Sequence, residues 1–275
     1  MRRSRRYVVL ATTATLVLTS AAFATAAPDK DGFQASPTPY KDADFSRITG
    51  RLVSSFNSGT GLCSASVVKS TSRSVVVAAA HCVYHKDTKE TAYESYFVPA
   101  SEGRELIMGQ PYGAWKAAHI YVDDSYKAHS ATHNDFSLIR LEPHGSPDAI
   151  DPVINKPVED VVGAFAPQEL KGDHMMRLVG YPVGDTENYT DGTQVYCDGD
   201  WAYDTTADPK GSFLTPDCIA HSGNSGGPLL KGSEKDGWVF AGVGANIDSV
   251  SGKTVTKVAP VNDIFKNLFA RADRP

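Results

Sequence analysis

Residues 221–230 read HSGNSGGPLL: Ser225 stands among Gly223, Gly226 and Gly227, and Pro228-Leu229-Leu230 leads on into an apolar strand. Glycine takes backbone conformations closed to other residues, so a turn of this kind can aim two neighbouring main-chain N–H groups at one point. Gly223 and Ser225 are the candidates for those two donors. Alone, the stretch also reads as a glycine-rich turn carrying an incidental serine. Two further stretches remove most of that ambiguity.

Residues 75–82 read VVVAAAHC, a buried-type strand that ends in small residues and delivers His81 beside Cys82. A general base must hold its ring within hydrogen-bond reach of the group it deprotonates, so a histidine with a tethered neighbour suits that task. His85, among Tyr84, Lys86 and Asp87, reads instead as part of a solvated loop. Residues 133–141 read HNDFSLIRL and put Asp135 at the start of an alternating strand. Behind a base, its carboxylate would accept the ring N–H of His81, hold the working tautomer and stabilise the imidazolium. A lone histidine is often structural, and an aspartate often only starts a strand. The order His, Asp, Ser raises all three together.

Short β-type runs fill the rest of the chain: 51–55, 63–68, 74–79, 93–98, 136–141, 176–181, 193–197, 238–244 and 254–258, separated by turn residues. No long helical period interrupts them, which predicts an all-β sandwich or a pair of barrels. The exception is VNDIFKNLFARAD (261–273). There Val261, Ile264, Phe265, Leu268 and Phe269 recur at helical spacing behind Pro260, with Asn262 as the N-cap. A division between halves is expected near residues 152–160.

The amino-terminal end carries Arg2, Arg3, Arg5 and Arg6, an apolar run from Tyr7 to about Leu18, and small residues at Ala24 and Ala26. This is the pattern of a signal peptide over residues 1–26, too short in its apolar part to span a membrane. Residues 27–47, rich in Pro, Asp, Lys and small side chains, are expected to be a pro-segment or disordered leader. Loss of the first 26 residues leaves 23 basic against 32 acidic residues, a net charge of about −9. That balance offers no basic footprint for nucleic acid. Apolar residues at 41% and charged residues at 21% describe a soluble body.

Four cysteines in an exported chain point to two disulfides, and the spacing suggests Cys63–Cys82 and Cys197–Cys218 among three possible pairings. No C-x-x-C pair, H-E-x-x-H helix, nucleotide loop or organic-cofactor motif is present, so neither a metal nor a cofactor is expected. Acidic residues in DGDWAYD (198–204) raise calcium as a question, although a full ligand pattern is missing.

The three contexts in this order resemble the chymotrypsin-like (trypsin-like) serine protease family over roughly residues 48–270. GNSGGP, with Cys218 seven residues before Ser225, is most similar to the bacterial secreted branch near the glutamyl endopeptidases. The resemblance implies two six-stranded antiparallel β-barrels with a C-terminal α-helix, the first over 48–155 and the second over 156–275. It implies a catalytic site in the crevice between them: His81 and Asp135 from the first barrel, Ser225 from the second. It further implies an acyl-enzyme mechanism and protein or peptide substrates. A secreted, extracellular monomer is expected, with no nucleic-acid partner and no membrane association after signal removal.

Where trypsin-like members have an aspartate before the serine, to pair with a newly cut amino terminus, this chain has Asn224. Arg47-Ile48 resembles an activation cleavage, but a neutral amide cannot form that ion pair. The specificity pocket is expected from Ile219, Ala220, His221 and Gly244, with Ile247 beside them. Nothing there neutralises a cation, which argues against Arg or Lys preference and for an uncharged apolar or small side chain. Two other readings use the same residues: an esterase sharing the acyl-transfer site, and a catalytically silent binding protein on the same fold.

Overall fold

The structure, a computed structural model, describes residues 27–108, 110–146, 154–185, 189–206 and 211–274. The first barrel consists of β1 (Thr49–Phe56), β2 (Gly59–Val68), β3 (Val75–Ala78), β4 (Glu94–Pro99), β5 (Trp115–Val122) and β6 (Ser137–Leu141). They pair antiparallel in the order β1-β2-β3-β6-β5-β4, with β4 closing back on β1. The second barrel consists of β7 (His174–Gly180), β8 (Val195–Asp204), β9 (Ser212–Thr215), β10 (Pro228–Ser233), β11 (Gly237–Val250) and β12 (Lys253–Pro260). Its order, β7-β8-β9-β12-β11-β10 and back to β7, repeats that of the first. The two halves share a topology that leaves no visible repeat in the sequence. The expected division at 155/156 falls between β6 and β7.

Burial explains the two strand signatures. In β3 every residue from Val75 to Ala78 is fully buried, so the strand reads as an unbroken apolar run. Along β8, Cys197, Gly199 and Trp201 are buried while Asp198, Asp200 and Ala202 are exposed, the period of two expected when only one face is covered. The acidic run 198–204, raised as a calcium loop, is therefore strand. Asp198 is committed to Arg177 through bonds of 2.7 and 2.6 Å.

The C-terminal helix, Asp263–Ala272, is capped as predicted by Asn262, whose Oδ1 accepts the Phe265 N–H at 2.9 Å. Phe265 is buried with its ring 5.3 Å from Phe136 of the first half and 5.8 Å from Phe240 of the second. The helix thereby wedges between the barrels. Both disulfides, Cys63–Cys82 and Cys197–Cys218, are present. The expected signal peptide, residues 1–26, lies outside the described residues.

Residues 27–47 depart from the expectation of a disordered leader: they form a strap on the second barrel. Gln34–Ala35 pairs antiparallel with β8, Gln34 opposite Tyr196. Phe33 is wholly buried in the core that holds Leu178, Trp201 and Phe213. Tyr40 is buried as well, its hydroxyl accepting the Gln194 N–H at 2.9 Å. Three buried aromatics, Phe33, Tyr40 and Phe45, hold this polar stretch down, and composition averaged over the segment conceals them. Ile48 is also buried, with its N–H on the Asp44 carbonyl at 3.0 Å, so Arg47-Ile48 is a helix-to-strand junction rather than a loose tether. Phe33→Ala is expected to lower unfolding free energy by about 3–5 kcal/mol, measured by chemical denaturation. A dispensable leader would show no change.

Candidate active site

His81 lies on the 3-10 turn Ala80–Cys82 that follows β3, and the Cys82–Cys63 disulfide ties that turn to β2. Asp135 follows the turn Thr132–Asn134 at the head of β6, the antiparallel neighbour of β3, and is 1% exposed. Its Oδ2 lies 2.9 Å from His81 Nδ1, and its Oδ1 accepts the His81 main-chain N–H at 3.1 Å. One carboxylate thus fixes both the ring and the backbone of the histidine. About a third of the His81 side chain (35%) stays open to the cleft. Burial, the largest effect on its pKa, acts to lower it. The hydrogen bond to Asp135 and that group's charge together outweigh burial and raise the pKa above the ordinary 6.5.

Two residues that the sequence did not mark support Asp135. Asn246 of β11 donates its amide to Oδ2 at 3.4 Å. Tyr126, on the short helix Asp124–His129, is buried beside the carboxylate; burial, then the charge of Asp135, push the phenol pKa well up.

Ser225 sits between β9 and β10 in a loop held from the first barrel by Ser64, the residue after Cys63. The Ser64 N–H donates to the Ser225 carbonyl at 2.8 Å. The Ser64 hydroxyl donates to the Gly223 carbonyl and accepts the Tyr181 N–H, both at 2.8 Å. Cys63 and Ser64 therefore anchor the histidine turn and the serine loop from adjacent positions on one strand. Within the loop, the N–H groups of Asn224, Gly226 and Gly227 go to the carbonyls of His221 (3.0 Å), Gly244 (2.7 Å) and Asn224 (3.0 Å). Those of Gly223 and Ser225 have no acceptor among the described residues. The Ser222 carbonyl accepts the Val183 N–H at 2.8 Å, and peptide planarity turns the Gly223 N–H to the opposite side. Gly223 has φ of 92°, and a Cβ there would lie 2.4 Å from the Tyr181 carbonyl oxygen, so no other residue fits this turn.

His81 and Ser225 line one cavity of about 310 Å³. Of the residues proposed for the pocket, Ala220, His221, Gly244 and Ile247 line this cavity; Leu178, Asn246 and Thr256, which sequence reasoning did not assign, line it too. Ile219 is not among the lining residues: its N–H is bound to the Asp31 carbonyl at 2.9 Å, behind the wall. Thr256 Oγ1 accepts the Ala220 N–H at 2.9 Å, which fixes the wall from β12. No basic or acidic side chain other than histidine lines the cavity among the described residues. His85, expected in a solvated loop, forms a small hairpin with Glu90 and lines a second hollow of about 270 Å³ on the other side of His81. Asn224 is buried, and neither atom of its amide has a hydrogen-bond partner among the described residues.

Comparison with solved structures finds this fold in known proteases. The chain superposes on protease Anisep from Arthrobacter nicotinovorans with a TM-score of 0.67 at 19% identity, over 82% of this chain and 95% of that one. A thermostable serine protease, AL20, from an extremophilic microorganism gives 0.67 at 20%, over 84% and 98%. A Glu endopeptidase gives 0.66 at 15%, over 90% and 99%. At such identities the likeness is one of fold. No curated protein is matched by the sequence. The model of the trypsin-like peptidase domain matches residues 59–238, well over half of the chain and spanning His81, Asp135 and Ser225. The chain therefore belongs to the trypsin-like peptidase family.

Proposed function

We propose that the protein is a secreted serine endopeptidase that cleaves peptide bonds through an acyl-enzyme, with Ser225 as nucleophile, His81 as general base and Asp135 orienting the imidazole. The observation that carries this reading is the pair of uncommitted N–H groups at Gly223 and Ser225 beside the cavity that Ser225 shares with His81. In the reaction, Ser225 Oγ attacks the substrate carbonyl carbon as its proton passes to His81 Nε2. The carbonyl oxygen gains the negative charge and is stabilised by the two N–H donors, already aimed and needing no reorganisation. The tetrahedral species collapses with proton transfer from His81 to the leaving amine, and water repeats the sequence on the acyl-enzyme. The Asp135 carboxylate balances the imidazolium while it exists.

A cavity walled by Ala220, Gly244, Leu178 and Ile247 supports preference for an uncharged apolar or small side chain. The two disulfides and the signal pattern of residues 1–26 support export into an oxidising compartment. A fluorophosphonate probe tests the nucleophile: mass spectrometry should find the adduct on Ser225, and an adduct elsewhere counts against it. A peptide library read alongside decides between peptidase and esterase, since an esterase leaves it uncut.

The base works only when neutral. Because Asp135 raises the His81 pKa, the inactive protonated form persists to higher pH than for a free histidine. The acid limb of kcat/KM should therefore have its midpoint above 6.5, activity falling as pH drops through it. A midpoint below that value speaks against the His81–Asp135 pair.

A further inference from the structure

We propose that Asp31, on the N-terminal strap, is a specificity-determining residue of the substrate cleft: it holds His221 against the strap, so that the wall beside Ser225 favours uncharged over acidic side chains. The proposal rests on the reading of Ser225 as nucleophile given above.

The strap meets the cleft wall from behind at successive residues. The Asp31 carbonyl accepts the Ile219 N–H at 2.9 Å, one position before Ala220 of the wall. Gly32 lies so close to the residue before Cys218 that a Cβ on it would be 2.0 Å from the Asp217 carbonyl oxygen, and its φ is 87°. Phe33 drives the turn into the barrel core and sets its ring 6.4 Å from the His221 ring. The Asp31 carboxylate is then placed with Oδ2 3.2 Å from His221 Nε2. His221 itself lines the cavity that contains Ser225.

A second carboxylate is close by but already committed. Asp29 Oδ1 accepts the N–H groups of Asp31 (2.9 Å) and Phe33 (2.8 Å), and its Oδ2 accepts the Tyr189 hydroxyl. Asp29 shapes the turn, and the carboxylate facing His221 is that of Asp31. Two consequences follow for a substrate side chain. His221 Nε2 faces the Asp31 carboxylate at 3.2 Å, so a positive charge on the ring is balanced from the strap before a substrate carboxylate meets it. The Asp31 charge, with 21% of the side chain exposed, also repels any acid entering that side of the cavity. Asp31 touches neither the substrate nor the reacting atoms. It acts through His221 and through its own charge.

The test compares wild type, Asp31→Asn, His221→Gln and the double variant on peptides that differ only in an Ala, Leu or Glu before the scissile bond. Asp31→Asn keeps the main-chain bond to Ile219, frees the imidazole and removes the repelling charge. It should raise the Glu-to-Leu ratio of kcat/KM about three- to tenfold, the scale of one partly exposed charged contact, with fluorophosphonate labelling of Ser225 within about twofold of wild type. His221→Gln leaves the charge without its partner and should lower the ratio. In that background, adding Asp31→Asn should raise the ratio again, since the unpartnered charge is what lowers it.

An unchanged ratio in Asp31→Asn overturns the proposal. So does a uniform loss over all three peptides with a lower melting temperature, which would mark a purely structural strap, and so does a lowered ratio in His221→Gln that adding Asp31→Asn does not raise. Should Asp31→Asn fail to fold, His221→Gln decides alone, since it leaves the main-chain strap contacts in place, and an unchanged ratio there sinks the idea. A wild-type protein that neither cleaves nor takes label defeats the Ser225 reading, and this proposal with it. Cleavage by wild type with unaltered preference in the variants defeats this proposal only.

Discussion

Ser225→Ala is expected to lower kcat on a peptide substrate by about 10⁶ while leaving the fold and the substrate cleft in place, the scale of loss when the nucleophile is taken from such a triad. Three local facts make the substitution clean. The Ser225 carbonyl, not its hydroxyl, receives the bond from Ser64, so the loop keeps its anchor from the first barrel. Asn224, Gly226 and Gly227 retain their internal main-chain bonds. The N–H groups of Gly223 and residue 225, without an acceptor among the described residues, also persist, so substrate should still bind and KM should move far less than kcat. His81→Ala should cost about as much, and the double variant little more than either, because base and nucleophile act in one step. Stopped assays against a peptide library, with circular dichroism to verify folding, measure both. A fall of only about tenfold would mean that hydrolysis does not pass through this serine.

The residues proposed for the triad stand out in the sequence because such chemistry constrains type and local context together. A strand ending in AAAHC, an aspartate opening an alternating strand and a serine between glycines each need a particular backbone, and that backbone leaves a trace in neighbouring residues. The supports of those residues leave no such trace. Ser64, Asn246 and Tyr126 are ordinary polar side chains whose roles depend on which strands meet across the cleft, and their partners lie about 160, 110 and 10 positions away. Counting back from the serine puts Ile219 in the pocket, but Ile219 does not line the cavity, and its main-chain N–H is bound to the strap. Strand β5, WKAAHIYV, escaped notice because only Trp115 and Val122 at its ends are fully buried, so no alternation shows. The strap was misread for the opposite reason. Its composition is that of disorder, and a few buried aromatics, Phe33, Tyr40 and Phe45, outweigh the average.

Asp135→Asn should lower kcat by about 10⁴, a magnitude carried over from serine peptidases with this arrangement generally, with little change in KM. In the native protein both carboxylate oxygens are acceptors, Oδ1 for the His81 main-chain N–H and Oδ2 for the ring at Nδ1. An amide offers one acceptor and one donor. If its oxygen keeps the main-chain bond, its NH₂ faces Nδ1 and selects the tautomer protonated at Nε2, which cannot accept the proton of Ser225. The substitution also removes the charge that raises the His81 pKa, while the burial that lowers it remains. The residual activity should therefore have its acid limb shifted to lower pH, below 6.5, although the rate itself has fallen. A purely structural role for Asp135 would lower activity by unfolding the site and would leave the midpoint of the surviving fraction where it was. The two readouts separate the cases: loss of rate with a downward shift of the acid limb supports orientation and charge compensation by Asp135, and loss of rate with an unmoved limb does not.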